Sequence, residues 1–274
     1  MSVRYSLDPA MPVLLRPDGT VQVGWDPRRA VMIRPPAELT AAALAALLRR
    51  MQANAGIDEL AREVGVGADS LDDLISALVG AGVARPSRSR PPGRSPAIRI
   101  HGRGPLTDVM VDSLRCSGAR ITHTSHAHAA VRPDVTDLVV LTDFLVVDPR
   151  LLRDLHDVRV PHLQVRVRDG LGVVGPLVLP GLTSCLGCAD LHRSDRDTAW
   201  PAVAAQLRDT VGTADRATVL ATAALALSQI DTVLSSMRGE PVKAPATLST
   251  TLEIDTPAAM IVTRHWPRHP LCGC

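Results

Sequence analysis

The chain has 274 residues, enough for two domains of ordinary size, and 46% of them are hydrophobic, so each can bury a core. Three Trp, one Tyr and one Phe (Trp25, Trp200, Trp266, Tyr5 and Phe144) are the whole aromatic complement, so the cores must be built from Leu, Val, Ile and Ala, and base stacking has little to work with. A formal net charge of +2 exerts no general pull toward nucleic acid or anionic membrane.

Met1 to Arg16 lacks a basic region followed by an apolar core, and the longest apolar stretch, Val219 to Leu227, is too short to span a bilayer. A cytoplasmic protein with reduced cysteines and no membrane partner is expected.

In chain order, short strands come first. Val13 to Arg16 and Thr20 to Val23 flank Pro17-Asp18-Gly19, a turn with Pro and Gly where a hairpin needs them, and Ala30 to Ile33 is a third strand ended by Pro35-Pro36. A helix is expected over Ala37 to Gln52, with Leu44, Leu47, Leu48 and Met51 at helical spacing. A short helix carrying Ile57, Leu60, Ala61 and Val64 ends at Gly65. A third helix, capped by Asp69, carries Leu71, Leu74, Ile75 and Leu78 and closes at Gly80 and Gly82. Three strands and three helices over residues 1–84 read as a winged helix-turn-helix.

Such a module often reads DNA. Here its last helix, Asp69-Ser-Leu-Asp-Asp-Leu-Ile-Ser-Ala-Leu, is acidic and holds no Lys or Arg, which argues against a DNA-binding regulator. The other use is peptide capture. An extended peptide would add a strand along Val31, Met32, Ile33 and Arg34, with side chains in a groove beside Leu71, Leu74, Ile75 and Leu78. Residues 85–97, within a stretch carrying four Arg and four Pro between Ala84 and Pro96, are expected to be a semi-extended linker.

From 98 to 274, strands and helices alternate. Strands are expected at Ala97–His101, Ala119–His123, Asp137–Thr142, His162–Val167 and Leu171–Leu179. Helices are expected over Leu106–Ser117 and Pro149–Leu155, then around Trp200–Arg208 and Asp215–Met237, before two last strands near Thr247–Ile254 and Met260–His265. Apolar strands alternating with helices argue for a doubly wound α/β sheet. The long Ala-rich helix, apolar on several faces, suits burial or subunit packing, and a homodimer is expected.

Four of the five cysteines form two tight pairs, Cys185-Leu-Gly-Cys188 and Cys272-Gly-Cys274. Two close pairs are how a tetrahedral thiolate zinc site appears in sequence. Four thiolates leave no open coordination position, so the expectation is a structural Zn²⁺ that staples the end of the chain to its middle. Disulfides or unrelated free thiols are the alternatives. Cys116, near the end of a helix and beside Leu114, reads as a core residue. His123, His126 and His128 read as a polar loop. Asp190, His192, Arg193, Arg196, Asp197 and Trp200 read as a network bracing the cysteine loop or a dimer interface.

The run Gly175-Pro-Leu-Val-Leu-Pro-Gly-Leu-Thr-Ser-Cys-Leu-Gly-Cys188, the run Asp190 to Pro201 and the ending Trp266-Pro-Arg-His-Pro-Leu-Cys-Gly-Cys274 resemble the ThiF-like (ubiquitin-activating-enzyme-like) cyclodehydratase-family, or precursor leader peptide-binding, proteins of thiazole/oxazole-modified peptide biosynthesis. Arg16 to Gly24 is similar to the start of the leader-recognition element that such proteins carry. The resemblance covers nearly the whole chain. It implies a peptide-binding winged helix, an adenylating-enzyme fold with tetrathiolate zinc, and delivery of a precursor peptide to a partner YcaO-type cyclodehydratase that does the ATP chemistry.

An ATP-dependent adenylating enzyme of this type needs a GxGxxG turn and an acid after the second strand. The chain offers Gly102-Arg-Gly-Pro-Leu-Thr107, in which Thr107 stands for the third Gly and Pro105 removes a backbone donor, and no acid follows Ile121. Asp143 matches the position where active relatives place a metal-linked Asp. The nucleotide site of Gly102, Gly104 and Asp143 therefore reads as degenerate, and the chain as a non-catalytic scaffold.

Overall fold

The structure, a computed structural model, describes residues 4–53, 68–87, 94–126, 130–240 and 242–274. The chain forms two compact units, Met1–Pro92 and Gly93–Cys274.

In the first unit β1 (Arg4–Leu7) pairs antiparallel with β5 (Ala84–Ser87), and β2 (Val13–Leu15), β3 (Val21–Val23) and β4 (Val31–Ile33) form a meander in the order β2-β3-β4. The Asp18 carboxylate takes the Thr20 amide and hydroxyl at 3.1 and 2.7 Å, which closes the first hairpin. Helix α1 (Ala41–Gln52) starts later than the periodicity suggested because Thr40 caps it, its hydroxyl accepting the Ala43 amide at 3.1 Å. Helix α2 (Ala68–Gly80) already includes Asp69 in its first turn, so Asp69 is not the residue outside the helix that a cap must be. The expected helix around Ile57 to Gly65 lies outside the described residues.

Strands β1 and β5 were not anticipated. Residues 85–87 of the expected linker belong to β5, and its last residue, Ala97, opens the strand expected over Ala97–His101, so a structureless segment can include at most the residues between them. The core joins Val13, Val21, Val23 and Ile33 from the meander to Leu44, Leu48 and Met51 of α1 and to Leu71, Leu74, Ile75 and Leu78 of α2.

The hydrogen-bond phase of the meander fixes which amides of β4 are open. The Arg16 amide donates to Thr20 and the Gly24 amide to Pro12, at 3.0 and 2.8 Å, so the opposed pair Leu14–Gln22 between them exchanges its bonds within β2–β3. Val21 and Val23 then point their peptide groups at β4, where they face Ile33 and Val31. The Met32 amide and carbonyl therefore point away from β3, toward the side of β4 that has no strand among the described residues.

The second unit is a seven-stranded sheet in the order β12-β11-β10-β9-β8-β6-β7. Strands β6 (Ala97–His101), β7 (Arg120–Thr124), β8 (Leu138–Thr142) and β9 (His162–Arg168) are parallel. β10 (Leu171–Val178), β11 (Thr250–Asp255) and β12 (Met260–His265) continue antiparallel. The doubly wound expectation holds for the parallel half only: a two-residue turn at Asp169-Gly170 sends β10 straight back along β9, with no crossover helix.

One face of the sheet packs Ile98, Ile100, Leu138, Val140, Leu163 and Val165 against α3 (Pro105–Leu114) and α7 (Arg216–Met237). The other packs Val139 and Leu141 against α4 (Pro149–Asp157) and α5 (Leu186–Ser194), and α6 (Trp200–Leu207) follows α5 in the chain. The run Val219 to Leu227 is part of the 22-residue α7, which by length and composition alone is apolar enough to cross a membrane. Here Val219, Ala223, Ala226, Ile230 and Leu234 of that helix are buried in the core shared with the sheet. Cys116 lies beyond the end of α3 and is exposed, not a core residue.

His162 gives the sheet an acid sensitivity. The ring is fully buried at 0% exposure, its Nδ1 lies 3.1 Å from the Val160 carbonyl, and its Nε2 has no partner. Nδ1 must carry the proton to donate there, so charging the ring would add a buried, unsatisfied N–H. Burial holds its pKa down at about 4. The unfolded imidazole, near 6.5, binds more protons than the folded one between those values, so this stability is complete above about pH 6.5 and is lost as the pH falls toward about 4. In melts between about pH 7 and pH 4.5 the wild type is expected to lose Tm more steeply than His162→Leu. Parallel slopes would show that this ring does not carry the effect.

Candidate functional site

The four paired cysteines converge. Cys185 caps α5, its Sγ accepting the Cys188 amide at 3.4 Å, so one helical turn carries the first pair. The second pair arrives on the tail after β12. Trp266, only 5% exposed, anchors that tail by donating its indole N–H to Thr251 Oγ1 at 2.8 Å, and the Cys272 amide donates to the His269 carbonyl at 3.0 Å. All four sulfurs lie within 4.8 Å of one another; Cys185 and Cys188 are 3.8 Å apart, Cys185 and Cys272 3.5 Å, and Cys188 and Cys274 3.4 Å. Ligands at about 2.3 Å from a tetrahedral Zn²⁺ are separated by about 3.8 Å. A disulfide needs about 2.05 Å. The spacing is that of four sulfurs that could share one metal ion, and all four are free thiols.

Without a cation the thiols perturb one another. Burial and the Cys272 thiol push Cys185 well up, and burial with the thiols of Cys188 and Cys272 raises Cys274 to about 11. Burial also works against ionisation of Cys188, but backbone hydrogen bonds at Cys185 and His269 and the Cys274 thiol outweigh it and bring it down to about 7. Four crowded sulfurs cannot all ionise alone, and a thiolate-preferring divalent cation supplies the missing charge.

The polar residues around this centre form a brace. Asp190 accepts from Arg193 at 2.8 Å and from the Trp200 indole at 3.2 Å. The Arg193 guanidinium lies over the rings of Trp200 and Trp266, at 5.2 and 4.9 Å. His269 lies 2.9 Å from an Asp195 oxygen through Nε2, while its Nδ1 accepts the Leu271 amide at 3.1 Å, which fixes the tautomer. His192 stands against His269, ring centroids 4.8 Å apart. His192, Asp195 and His269 could themselves meet at a metal, but each of their facing atoms already has a protein partner.

Gly102, Gly104 and Asp143 also meet, at the carboxyl ends of β6 and β8. Asp143 has the left-handed φ of 68° and is 1% exposed. Its carboxylate takes the amides of Leu106 and Thr107 at 3.1 and 2.9 Å and the Thr107 hydroxyl at 2.5 Å. These are the first-turn donors of α3, the groups that would cradle a phosphate. Thr107, which replaces the third Gly of the nucleotide turn, is thus a partner that holds the carboxylate inward. A Cβ on Gly102 would stand 2.4 Å from the Thr142 carbonyl, and one on Gly104 2.8 Å from the Asp143 carboxyl carbon. Gly102 therefore serves close packing against Thr142 and Thr107, and Gly104 against Asp143.

Beside this plug, a cleft of about 280 Å³ is lined by His101, Arg103, His126, Phe144, Asp148 and Arg208 among others. Burial, then Arg99, lowers His101 to about 4, so it is neutral at pH 7. His123 lies on β7, not in a loop, with Nε2 3.0 Å from the Gly102 carbonyl; His128 lies outside the described residues.

In the first unit Met32 and Arg34 are exposed, Val31 is half-buried and Ile33 is buried. Leu71, Leu74, Ile75 and Leu78 are all less than 8% exposed within the core, so they do not line an open groove; Asp72, Asp73, Ser76, Ala77 and Val79 are among the exposed positions of α2.

No protein-family model matches the sequence, and no curated protein matches it. Solved structures do match in three dimensions. The heterocyclase TruD superimposes with a TM-score of 0.66 at 14% identity, over 99% of this chain and 42% of that one. A heterocyclase in complex with substrate and cofactor gives 0.66 at 13% identity, over 100% of this chain and 40% of that one. E. coli MccB with ATP gives 0.59 at 11% identity, over 98% of both chains. What is shared is the fold. The chain spans about two fifths of the length of the two heterocyclases.

Proposed function

We propose that this chain is a non-catalytic scaffold, stapled by structural zinc, that binds the leader of a ribosomal precursor peptide and presents it to a YcaO-type cyclodehydratase. The observation that carries the non-catalytic reading is Asp143: its carboxylate occupies the first-turn amides of α3 that an adenylating enzyme would offer to phosphate. The heterocyclase fold likeness, and the heterocyclase solved with substrate, support a place in thiazole/oxazole peptide modification. The adenylating enzyme is the second reading, favoured by the likeness to MccB, whose structure was solved with ATP. A cytoplasmic homodimer completes the proposal.

The leader would add a strand along β4, from Val31 to Arg34, using the outward peptide group of Met32. Because Leu71, Leu74, Ile75 and Leu78 are core, side-chain selectivity would come from exposed neighbours, with Asp72 and Asp73 steering a peptide with basic flanks. Met32→Pro removes an outward amide while leaving the β3–β4 bonds in place, so it should fold and should weaken binding by about tenfold or more. The test titrates the full chain with the short peptide encoded nearest its gene, by calorimetry and by amide shifts at residues 30–34. Unchanged affinity in Met32→Pro, or preference for duplex DNA over the peptide, would refute this reading.

A further inference from the structure

Arg166 is a buried cation without an ion-pair partner among the described residues. Alternation along β9 sends Leu163, Val165 and Val167 into the core shared with α3 and α7, and Gln164, Arg166 and Arg168 to the opposite face. There Arg166 is 6% exposed; one terminal nitrogen donates to the Leu145 carbonyl, and its Nε is buried without a partner. Among the described residues no carboxylate stands within ion-pair distance of it. The two acids near enough to act on it, Asp190 and Glu253, are engaged elsewhere. Asp190 is held by Arg193 and Trp200, and Glu253 by Arg168 at 3.2 Å and Arg264 at 3.5 Å. Burial lowers the Arg166 pKa to about 9, with Arg193 and Arg168 pushing the same way.

A cavity of about 450 Å³ opens over this charge. Four arginines line it, Arg166, Arg168, Arg193 and Arg196, together with the apolar Leu145, Trp200 and Leu207. Two acids also line it. Asp169 is 90% exposed and only 3.9 Å from Arg168, and Asp197 accepts the Ala199 amide at 2.9 Å, so neither reaches the buried charge.

We propose that this cavity is a binding site for an organic carboxylate, the two oxygens meeting the Arg166 guanidinium and the apolar body of the ligand lying against Leu145, Trp200 and Leu207. A planar guanidinium matches two carboxylate oxygens in one fork. The apolar walls favour a carboxylate over a phosphate, whose additional oxygens would be stripped of water against carbon. The volume is that of an ordinary small-molecule pocket. The ligand satisfies a buried charge that the free protein leaves uncompensated. This site lies wholly in the second unit and does not rest on the leader reading, so either can fail alone.

Two sources share this chemistry, a free small acid and the carboxyl end of an apolar peptide, and the experiment separates them. The full chain is titrated by calorimetry and Trp fluorescence with benzoate and with an acetylated apolar tripeptide ending in a free carboxylate. Benzamide, the amidated tripeptide and inorganic phosphate are the controls. At least one acid is expected to bind saturably at one site, with its neutral counterpart weaker by about tenfold or more. Arg166→Met is expected to abolish this binding. Arg196→Ala, on the exposed rim, is expected to weaken it severalfold and keeps the test open should the buried variant fail to fold. Whichever acid binds identifies the source. No saturable binding of either acid, equal binding of acid and amide, tighter binding of phosphate, or an affinity unchanged in Arg196→Ala would each overturn the proposal.

Discussion

Protein purified without added zinc is expected to carry about one zinc per chain, and Cys272→Ser is expected to lose most of it. Geometry sets the expectation: four sulfurs sit at tetrahedral-edge spacing, in two pairs, one from the middle of the second unit and one from its carboxyl end. Structural zinc binds small peptides with about 10–16 kcal/mol, so losing one of four ligands should cost the folded unit several kcal/mol. The damage should be local first. Apart from the expected metal, the tail from Trp266 to Cys274 is tied down by single bonds, among them the Trp266 indole to Thr251, the Trp266 amide to Ser249, Arg268 to the Gly181 carbonyl and the His269–Asp195 contact. Hydrogen exchange should therefore speed up in the tail and in α5 before the parallel strands respond. Acid should act as the variant does, because metal binding requires deprotonated thiols and is lost as protons compete. Metal content below about a tenth of an equivalent, or native disulfides among these cysteines, would sink the assignment.

The sheet was legible wherever its hydrophobic pattern was local. In Leu138–Thr142 the first four residues are an unbroken apolar run, as a strand covered on both faces should be, and Met260–His265 has the bounds its sequence suggested. Strands β1 and β5 were not legible. Arg4-Tyr-Ser-Leu7 and Ala84-Arg-Pro-Ser87 are too short and too mixed to signal a strand, and each is ordered by a partner at the far end of the unit. Pro86 reads as a breaker, yet an edge strand tolerates a missing amide. Helix α5 was hidden for a similar reason. Its nine residues are mostly polar or ligands, and the only cue was Cys185 in the capping position.

Two site assignments show what periodicity leaves open. The spacing of Leu71, Leu74, Ile75 and Leu78 says that one face of α2 is covered but not by what; the cover is the protein's own core. Arg166 was missed because an Arg in a strand reads as a solvent-facing position. The signal was present in His162-Leu-Gln-Val-Arg-Val-Arg168, where the polar residues share one face of an interior strand that must be covered on both sides.

Asp143→Ala is expected to cost the second unit about 2–4 kcal/mol and to convert a filled cradle into an empty one. Three donors lose their acceptor: the amides of Leu106 and Thr107 and the Thr107 hydroxyl, all buried. The left-handed φ of 68° adds strain for Ala that Asp tolerates. Asp143→Asn keeps the shape, the backbone tolerance and one acceptor oxygen, so it should fall between wild type and Ala. The wild type should show no saturable heat with ATP and Mg²⁺, because its own carboxylate holds the amides that a phosphate would need and repels that charge. In Asp143→Ala the same amides are freed at a helix N-terminus, so phosphate or sulfate should recover part of the lost Tm, and should do so for this variant far more than for wild type. The stability loss and the anion rescue have one cause, so they should appear together. Tight ATP binding by the wild type, or pyrophosphate exchange abolished by Asp143→Ala, would mean that the carboxylate serves a nucleotide rather than replacing one, and would promote the adenylating enzyme over the scaffold.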